Sequence, residues 1–179
     1  MPHYLLLISL LTLTACQTQS LVELDYQPGL SYHSFHTWQW TEPAIQFIPN
    51  SAQHKSDLDA QRLRTAIQAQ LTQQGLKQSE KGQLLVQAWL MTENKLQRTQ
   101  VQHNDYWGDL WTPSIRTETY DTTYSSQTLQ IDLIDASNQK LIWRGSNSWV
   151  LPQQRTSPTV RNARLHQQVQ NILQNFPPQ

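Results

Sequence analysis

The sequence of 179 residues contains one cysteine, Cys16, which excludes a disulfide bond within the chain. It also lacks a Walker phosphate loop and the motifs G-x-S-x-G and H-E-x-x-H. The sequence therefore carries no common signature of a nucleotide-binding protein, a serine hydrolase or a zinc protease. We therefore predict no enzyme, no catalytic residues and no cofactor.

An excess of charge of either sign is missing as well, because 13 basic residues balance 13 acidic ones. No basic stripe of the kind that binds nucleic acid is present. No run of like charges would steer an ionic partner towards the protein. We therefore expect no nucleic-acid partner.

The apolar run at the N-terminus, Tyr4 to Thr14 (YLLLISLLTLT), is too short to cross a membrane. As a helix it would rise about 16 Å, whereas the hydrocarbon core of a bilayer is about 30 Å thick. Its length suits the hydrophobic region of a secretory signal peptide. We assign residues 1–15 to such a signal.

The residues after this run decide which kind of signal it is. Ordinary signal peptidase prefers small residues at −3 and −1, and Leu13 at −3 does not fit. Leu13-Thr14-Ala15-Cys16 resembles the bacterial lipobox, which implies a diacylglyceryl group on Cys16 and cleavage before it. Gln17, in place of Asp, implies sorting to the outer membrane with the domain facing the periplasm. The alternative, a buried apolar cysteine, fits poorly in a segment that is cleaved off.

Alternating apolar residues predict a series of strands, at residues 20–27, 35–40, 84–97, 127–136 and 141–151. Residues 41–55, which contain Pro43 and Pro49, are predicted to form a loop. The first half of 84–97 is apolar on both faces, so we expect it to be covered on both sides. The last two strands form a hairpin around the turn 135–140.

Two helices are marked by caps and by apolar spacing. Ser56 and Asp59 form a capping-box-like start for the first helix, and Gly75 stands where it should end. The second helix begins near Ser157, with Pro158 at its first position. The apolar positions at helical spacing are Leu63, Ile67 and Leu71 in the first helix and Leu165, Val169, Ile172 and Phe176 in the second.

This order of elements predicts an α+β fold of two layers, a mostly antiparallel β-sheet with two helices packed on one face. We expect one domain at residues 21–179, preceded by the lipidated cysteine and a short tether at 16–20. That tether reaches about 14 Å, so the domain would be held close to the membrane by its lipid anchor. Its partner is therefore expected at or near the same membrane.

Several blocks of the sequence resemble the DUF4136 lipoprotein family. They are DYQPGLSYHSFHTWQW (25–40), DLDAQRLRTAIQAQLTQQGLKQ (57–78), LLVQAWL (84–90), YSSQTLQIDLIDASNQKLIWRGSNS (124–148) and VQNILQNFPPQ (169–179). The chain departs from the family at 99–123, where many relatives carry a Gly/Tyr-rich tract. The resemblance implies the fold and an envelope location. Because the family is uncharacterised, it implies no catalytic residues.

The candidate binding surface is an aromatic cluster formed by Tyr106, Trp107 and Trp111, between two long strands. Its segment is either a loop tip or the distal part of a hairpin. Exposed aromatic residues with a polar rim suit a glycan, a peptide or a membrane interface. The alternative is that they fold back over the sheet face left bare by the helices.

Other polar residues are interpreted as structural. His33 and His36 would point to opposite faces of a strand edge, and we predict no metal site there. We expect Asp132 on the solvent face of its strand and Asp135 capping N–H groups in the turn. Arg144 is expected to orient the hairpin through a salt bridge or a cation–π contact.

These observations predict a non-enzymatic binding or assembly module, anchored to the outer membrane by lipid. It would hold an envelope protein, a glycan or lipid through its exposed sheet face or through residues 99–123. One alternative is a structural lipoprotein whose homo-oligomers pair through exposed strand edges. A further alternative is a hydrolase with a site built from loop residues.

Overall fold

The computed structural model describes residues 22–49, 51, 56–105, 114–154 and 156–178. Two helices are present in this part of the chain, α1 (Asp57–Gln73) and α2 (Pro158–Leu173), together with a single 3-10 turn at Tyr32–Ser34. The strands are β1 (Glu23–Tyr26), β2 (Thr37–Ile48), β3 (Lys77–Gln78), β4 (Leu84–Asp105), β5 (Ser114–Asp135) and β6 (Lys140–Val150).

The six strands form one sheet in the order β1-β6-β5-β4-β2-β3. The pairings β1–β6, β6–β5 and β5–β4 are antiparallel, whereas β2 runs parallel to both β4 and β3. The predicted α+β fold is confirmed, with a sheet that is mixed instead of purely antiparallel. The parallel pairing follows from the connection, because α1 lies between β2 and β4 and forms the crossover that parallel neighbours need.

Strand β2 continues beyond its predicted end. Residues 41–48 were expected in a loop, but the strand extends to Ile48, with a shift in pairing register between Trp40 and Ile45. Pro43 lies inside this irregular stretch, where a missing N–H interrupts no regular ladder. The prolines therefore mark a bulge and a strand end, and the loop prediction for 41–48 was wrong.

Both helices begin as the sequence predicts. The Ser56 side chain accepts a hydrogen bond from the N–H of Asp59 at 3.2 Å, and that of Ser157 accepts one from the N–H of Val160 at 3.3 Å. Gly75 follows α1 at φ +88°, a left-handed conformation that glycine adopts without strain. These caps satisfy N–H groups that a helix end otherwise leaves unpaired.

The core lies between the helices and one face of the sheet. Val86 pairs with Leu133 and Ala88 with Ile131, so these fully buried side chains share a face. They belong to the same cluster as the buried side chains of both helices. The other face of β4 is half-buried, which corrects the expectation that this strand is covered equally on both sides.

Candidate functional site

Strands β4 and β5 continue together well beyond the rest of the sheet. Strand β2 ends at Ile48, which pairs with Met91, and β6 ends at Val150, which pairs with Ser126. From the pair Asn94–Ser125 to the pair Asp105–Ser114, no other described strand pairs with β4 or β5. We call residues 93–105 and 114–126 the ribbon, and at about 3.3 Å per residue it is about 40 Å long.

The composition of the ribbon explains why it is extended. It contains no glycine and no proline, and β5 contributes threonine and tyrosine repeatedly, residues that favour strands. A two-stranded hairpin in water is only marginally stable by itself. Its persistence therefore depends on contacts between side chains across the two strands.

On the side of the ribbon that continues the helix-covered face, Arg98 forms a two-pronged ion pair with Asp121. The Arg98 Nε and Nη2 atoms lie 2.9 and 3.1 Å from the two carboxylate oxygens of Asp121. These hydrogen bonds raise the pKa of the Arg98 guanidinium. The Ser125 hydroxyl, nearer the sheet, donates to Asn94 Oδ1 at 2.7 Å.

The opposite side of the ribbon carries a second group of polar contacts. The Tyr120 hydroxyl donates to the Glu118 carboxylate, and this hydrogen bond raises the pKa of Tyr120. His103 Nε2 lies 3.8 Å from the same carboxylate. Lys95 Nζ lies 3.6 Å from Glu93. These contacts join side chains on the ribbon but leave its surface in water.

Apolar side chains are few on the ribbon. Leu96, Tyr120 and Val101 are 61%, 51% and 36% exposed, and they are scattered among polar side chains. The chemistry that the ribbon offers is therefore hydrogen bonding, from its side chains and from its strand edges.

The predicted site residues lie outside the part of the chain that the structure describes. Tyr106, Trp107 and Trp111 fall between the ends of the two ribbon strands, outside the described residues, as does Cys16. The described parts of the segment 99–123 are paired strands, whereas the stretch for which a loop tip or a distal hairpin was predicted lies outside the described residues. Whether the aromatic cluster forms a binding surface stays a prediction.

The sheet face opposite the helices carries a partly buried ion pair. The Arg144 Nε and Nη2 atoms lie 2.8 and 2.7 Å from the two oxygens of Asp132, and Gln130 Nε2 donates to the same carboxylate at 3.1 Å. These hydrogen bonds to Asp132 raise the pKa of Arg144. Asp132 lies on the predicted face, opposite the helices, but it is only 4% exposed, so the expectation that it is open to solvent was wrong.

This pair ties β5 to β6 directly, as expected of a salt bridge that orients the hairpin. The sequence contains the signal for it, since the hairpin register places position 132 opposite position 144. Asp135 is in the turn as predicted. It accepts hydrogen bonds from the N–H and hydroxyl of Ser137 at 2.8 and 2.7 Å.

A polar cleft of about 280 Å³ lies where both helices begin. Among its lining residues are Asp59, Arg161 and Arg164. Asp59 is nearly buried and lies 2.6 Å from Arg62 and 3.5 Å from Arg161, so its charge is compensated. Sequence analysis missed this cluster because Arg161 comes from a distant helix.

Within the described ranges, no three histidine, cysteine, aspartate or glutamate residues lie close enough together to hold a metal ion. His33 belongs to the 3-10 turn and not to a strand. Of the helices described, none is long and apolar enough to cross a membrane.

Known structures share this fold at low sequence identity. A PDZ domain protein from Parabacteroides distasonis is 11% identical with a TM-score of 0.56, and the match covers 89% of this chain and 36% of that one. This chain therefore spans about a third of that protein's length. A DUF4136 family protein from Bacteroides thetaiotaomicron is 12% identical with a TM-score of 0.52, over 85% of this chain and 95% of that one.

A PelC dodecamer from Paraburkholderia phytofirmans is 9% identical with a TM-score of 0.47, over 86% of this chain and 94% of that one. That score is too low to carry an argument about assembly. No match to this sequence was found among the curated proteins.

The family itself is shown by sequence. The model of the domain of unknown function DUF4136 matches residues 22–178, which is most of the chain. The resemblance carried by the separate sequence blocks is thereby confirmed. The chain belongs to the DUF4136 family.

Proposed function

We propose that this protein is a lipid-anchored, non-enzymatic binding or assembly module of the bacterial envelope, and that the ribbon is its contact surface. The observation that carries the proposal is the ribbon itself. It extends about 40 Å beyond the sheet and has two strand edges beside which no other described strand lies. A structure of this kind gains stability when another molecule covers it, which favours a role in contact over a role in chemistry.

The sequence supports the anchor, through Leu13-Thr14-Ala15-Cys16. Val22 already packs against the core, so residues 17–21 would form the tether and reach about 17 Å. Two or three acyl chains on Cys16 would give a stable membrane attachment. Gln17 after the cysteine favours the outer membrane, with the domain in the periplasm.

The direction of β1 supports a partner at the same membrane. Glu23 lies beside Ser146 and Tyr26 beside Trp143, while β6 runs towards the root of the ribbon at Val150. The chain therefore enters the sheet from the side on which the ribbon projects. An anchor upstream of β1 and the ribbon would face the same region.

The anchor is tested by separating membranes of cells that express the full chain. The wild-type protein is expected in the outer-membrane fraction, with an acylated N-terminal peptide in the mass spectrum. Cys16→Ser should leave that fraction, and the matched variant Gln17→Asp should move to the inner membrane. Retention of Cys16→Ser, together with an unmodified wild-type peptide, would overturn the anchor.

The contact surface is tested by removing the outer ribbon. Gln97 and Thr122 lie directly opposite each other, so replacing residues 98–121 with Asn-Gly closes a two-residue hairpin at that pair. Crosslinking in intact envelopes, followed by affinity purification, should capture partners with the wild-type chain and lose them with this variant. The same partners captured by both chains would show that the ribbon is not the surface.

A further inference from the structure

We propose that the outer edge of β5 in the ribbon pairs with the same edge of a second copy of this chain. The outer edge is the side of β5 that faces away from β4. The N–H of Leu151 donates to the carbonyl of Ser125 at 2.8 Å, so Ser125 turns its backbone groups to that side. Backbone groups alternate along a strand. Residues 117, 119, 121 and 123 therefore present N–H and C=O groups on the outer edge, beside which no described strand lies.

This edge contains the charged residues Arg116, Glu118 and Asp121 but lacks other devices that normally prevent strands from pairing. Residues 114–126 of β5 contain no proline, no glycine and no lysine. The free side of β2, by contrast, contains Pro43 and a shift in register. Strand β1 is only four residues long. Of the strand edges described, β5 therefore offers a partner strand a long stretch without proline, glycine or lysine.

The sequence of β5 is compatible with itself. When two antiparallel copies are centred on Tyr120, residues 116–124 overlap on the part of the edge that β6 leaves open, since Leu151 and Val150 already lie beside Ser125 and Ser126. Tyr120 then faces its counterpart, Thr117 faces Thr123, and Thr119 faces Asp121. Aromatic and threonine pairs of this kind stabilise neighbouring strands, and no like charges are opposed. Asp121 keeps its ion pair with Arg98, which lies on the other side of β5.

Other symmetric registers are less favourable. Centring on Asp121 opposes two aspartates, and centring on Glu118 opposes two glutamates, which is destabilising. Centring on Thr119 places Tyr120 opposite Glu118 and so loses the aromatic pair. A second copy is therefore an occupant that matches the edge in backbone hydrogen bonding, in side-chain pairing and in charge.

Disulfide trapping tests the register, using the full mature chain in detergent micelles. Tyr120→Cys is expected to form a covalent dimer under mild oxidation, because opposed residues bring their Cβ atoms within reach of a disulfide. Thr99→Cys is the matched control, since Thr99 pairs with Tyr120 from the adjacent strand and lies away from the edge. No dimer from Tyr120→Cys, or equal dimer from both variants, would overturn the proposal.

Sedimentation of two further variants tests the edge. Thr119→Pro removes an outward N–H, and Thr119→Val keeps it. We expect the dimer dissociation constant to rise at least tenfold with proline and to change little with valine. A monomeric wild-type chain, or equal dimers of both variants, would contradict edge pairing. If Thr119→Pro prevents folding, the comparison of Tyr120→Cys with Thr99→Cys tests the edge instead. Failure of both tests with the anchor intact would leave the proposed function standing.

Discussion

At the scale of single residues, the structure explains the sequence Trp143-Arg144-Gly145. Trp143 is fully buried on the helix side, and Arg144 points to the opposite face and binds Asp132. Gly145 returns to the helix side, where Ile172 of α2 packs directly against the strand. Trp143 therefore fills part of the core, Arg144 joins the two strands of the hairpin, and Gly145 leaves room for α2 to pack against β6.

Gly145→Ala is expected to destabilise the fold. An added Cβ would lie 2.6 Å from Ile172 Cγ2 and 2.6 Å from the Trp143 ring, so α2 must shift. Overpacking of this kind costs about 1–3 kcal/mol in the free energy of unfolding. Urea unfolding measures it, with Ser146→Ala on the other face as the control, expected within about 0.5 kcal/mol of wild type. If the wild-type chain, Gly145→Ala and Ser146→Ala were equally stable, there would be room for an added methyl group at position 145, contrary to this account.

Asp132→Ala is expected to lower the free energy of unfolding by about 1–3 kcal/mol, because Arg144 loses its partner beside a buried site. The side chain of Arg144 is 40% exposed and can reach water, which keeps the loss below that of a fully buried pair. Urea unfolding is the measurement. The double variant Asp132→Leu with Arg144→Met should be more stable than either single change, and a double variant that simply adds the two losses would contradict this account.

Asp135 makes stability depend on pH in a known direction. Hydrogen bonds from Ser137 lower the pKa of Asp135 below its ordinary value of 3.8. A depressed pKa in the folded state contributes stability above the unfolded pKa, and the contribution is lost as the pH falls through the folded pKa. Asp135→Ala should therefore cost about 1 kcal/mol at neutral pH, and the difference should close at strongly acidic pH. A difference that is constant with pH would contradict this.

At the scale of elements, the sequence predicts those that combine a buried face with a cap. Helix α1 shows both, with Leu63, Ile67 and Leu71 on one stripe and Ser56 at the start. The β5–β6 hairpin is predicted equally well, because Leu129, Ile131 and Leu133 alternate with polar residues. In each case local pattern and tertiary burial agree.

The elements that escape prediction lack one of these signals. The ribbon has no buried face, so hydrophobic alternation is missing and only the strand preference of threonine and tyrosine indicates it. Residues 41–48 contain prolines that mark a loop in most sequences but a bulge here. The burial of Asp132 depends on Arg144 from the neighbouring strand, which a face pattern does not reveal.

We expect the outer ribbon to be dispensable for the core, because none of residues 98–103 and 117–121, whose burial the structure describes, belongs to the buried cluster. The variant with Asn-Gly in place of residues 98–121 should keep its free energy of unfolding within about 0.5 kcal/mol of the wild-type value. Urea unfolding with Leu90→Ala as the reference, expected to lose about 2–5 kcal/mol, gives the scale. A loss comparable to that of Leu90→Ala would show that the ribbon supports the fold.

At the scale of the whole molecule, the fold separates two tasks. One face of the sheet and both helices enclose the core, while the two longest strands leave it and carry their edges into solvent. Membership of DUF4136 fixes the first part, the fold. The ribbon sets the shape of an assembly formed through it, because a contact at the ribbon holds the cores of the two molecules apart.

Because the ribbons hold the two cores apart, the proposed dimer should be longer than a single chain by a measurable amount. Strand β5 spans 22 residues, so a single chain is about 70 Å long in the strand direction. Pairing centred on Tyr120 leaves 15 residues of β5 on each side up to Asp135, and the dimer should be about 100 Å long. Small-angle scattering should find this length for the wild-type chain and about 45 Å for the variant that lacks residues 98–121. A wild-type dimer no longer than about 70 Å would mean that the bodies, and not the ribbons, are in contact.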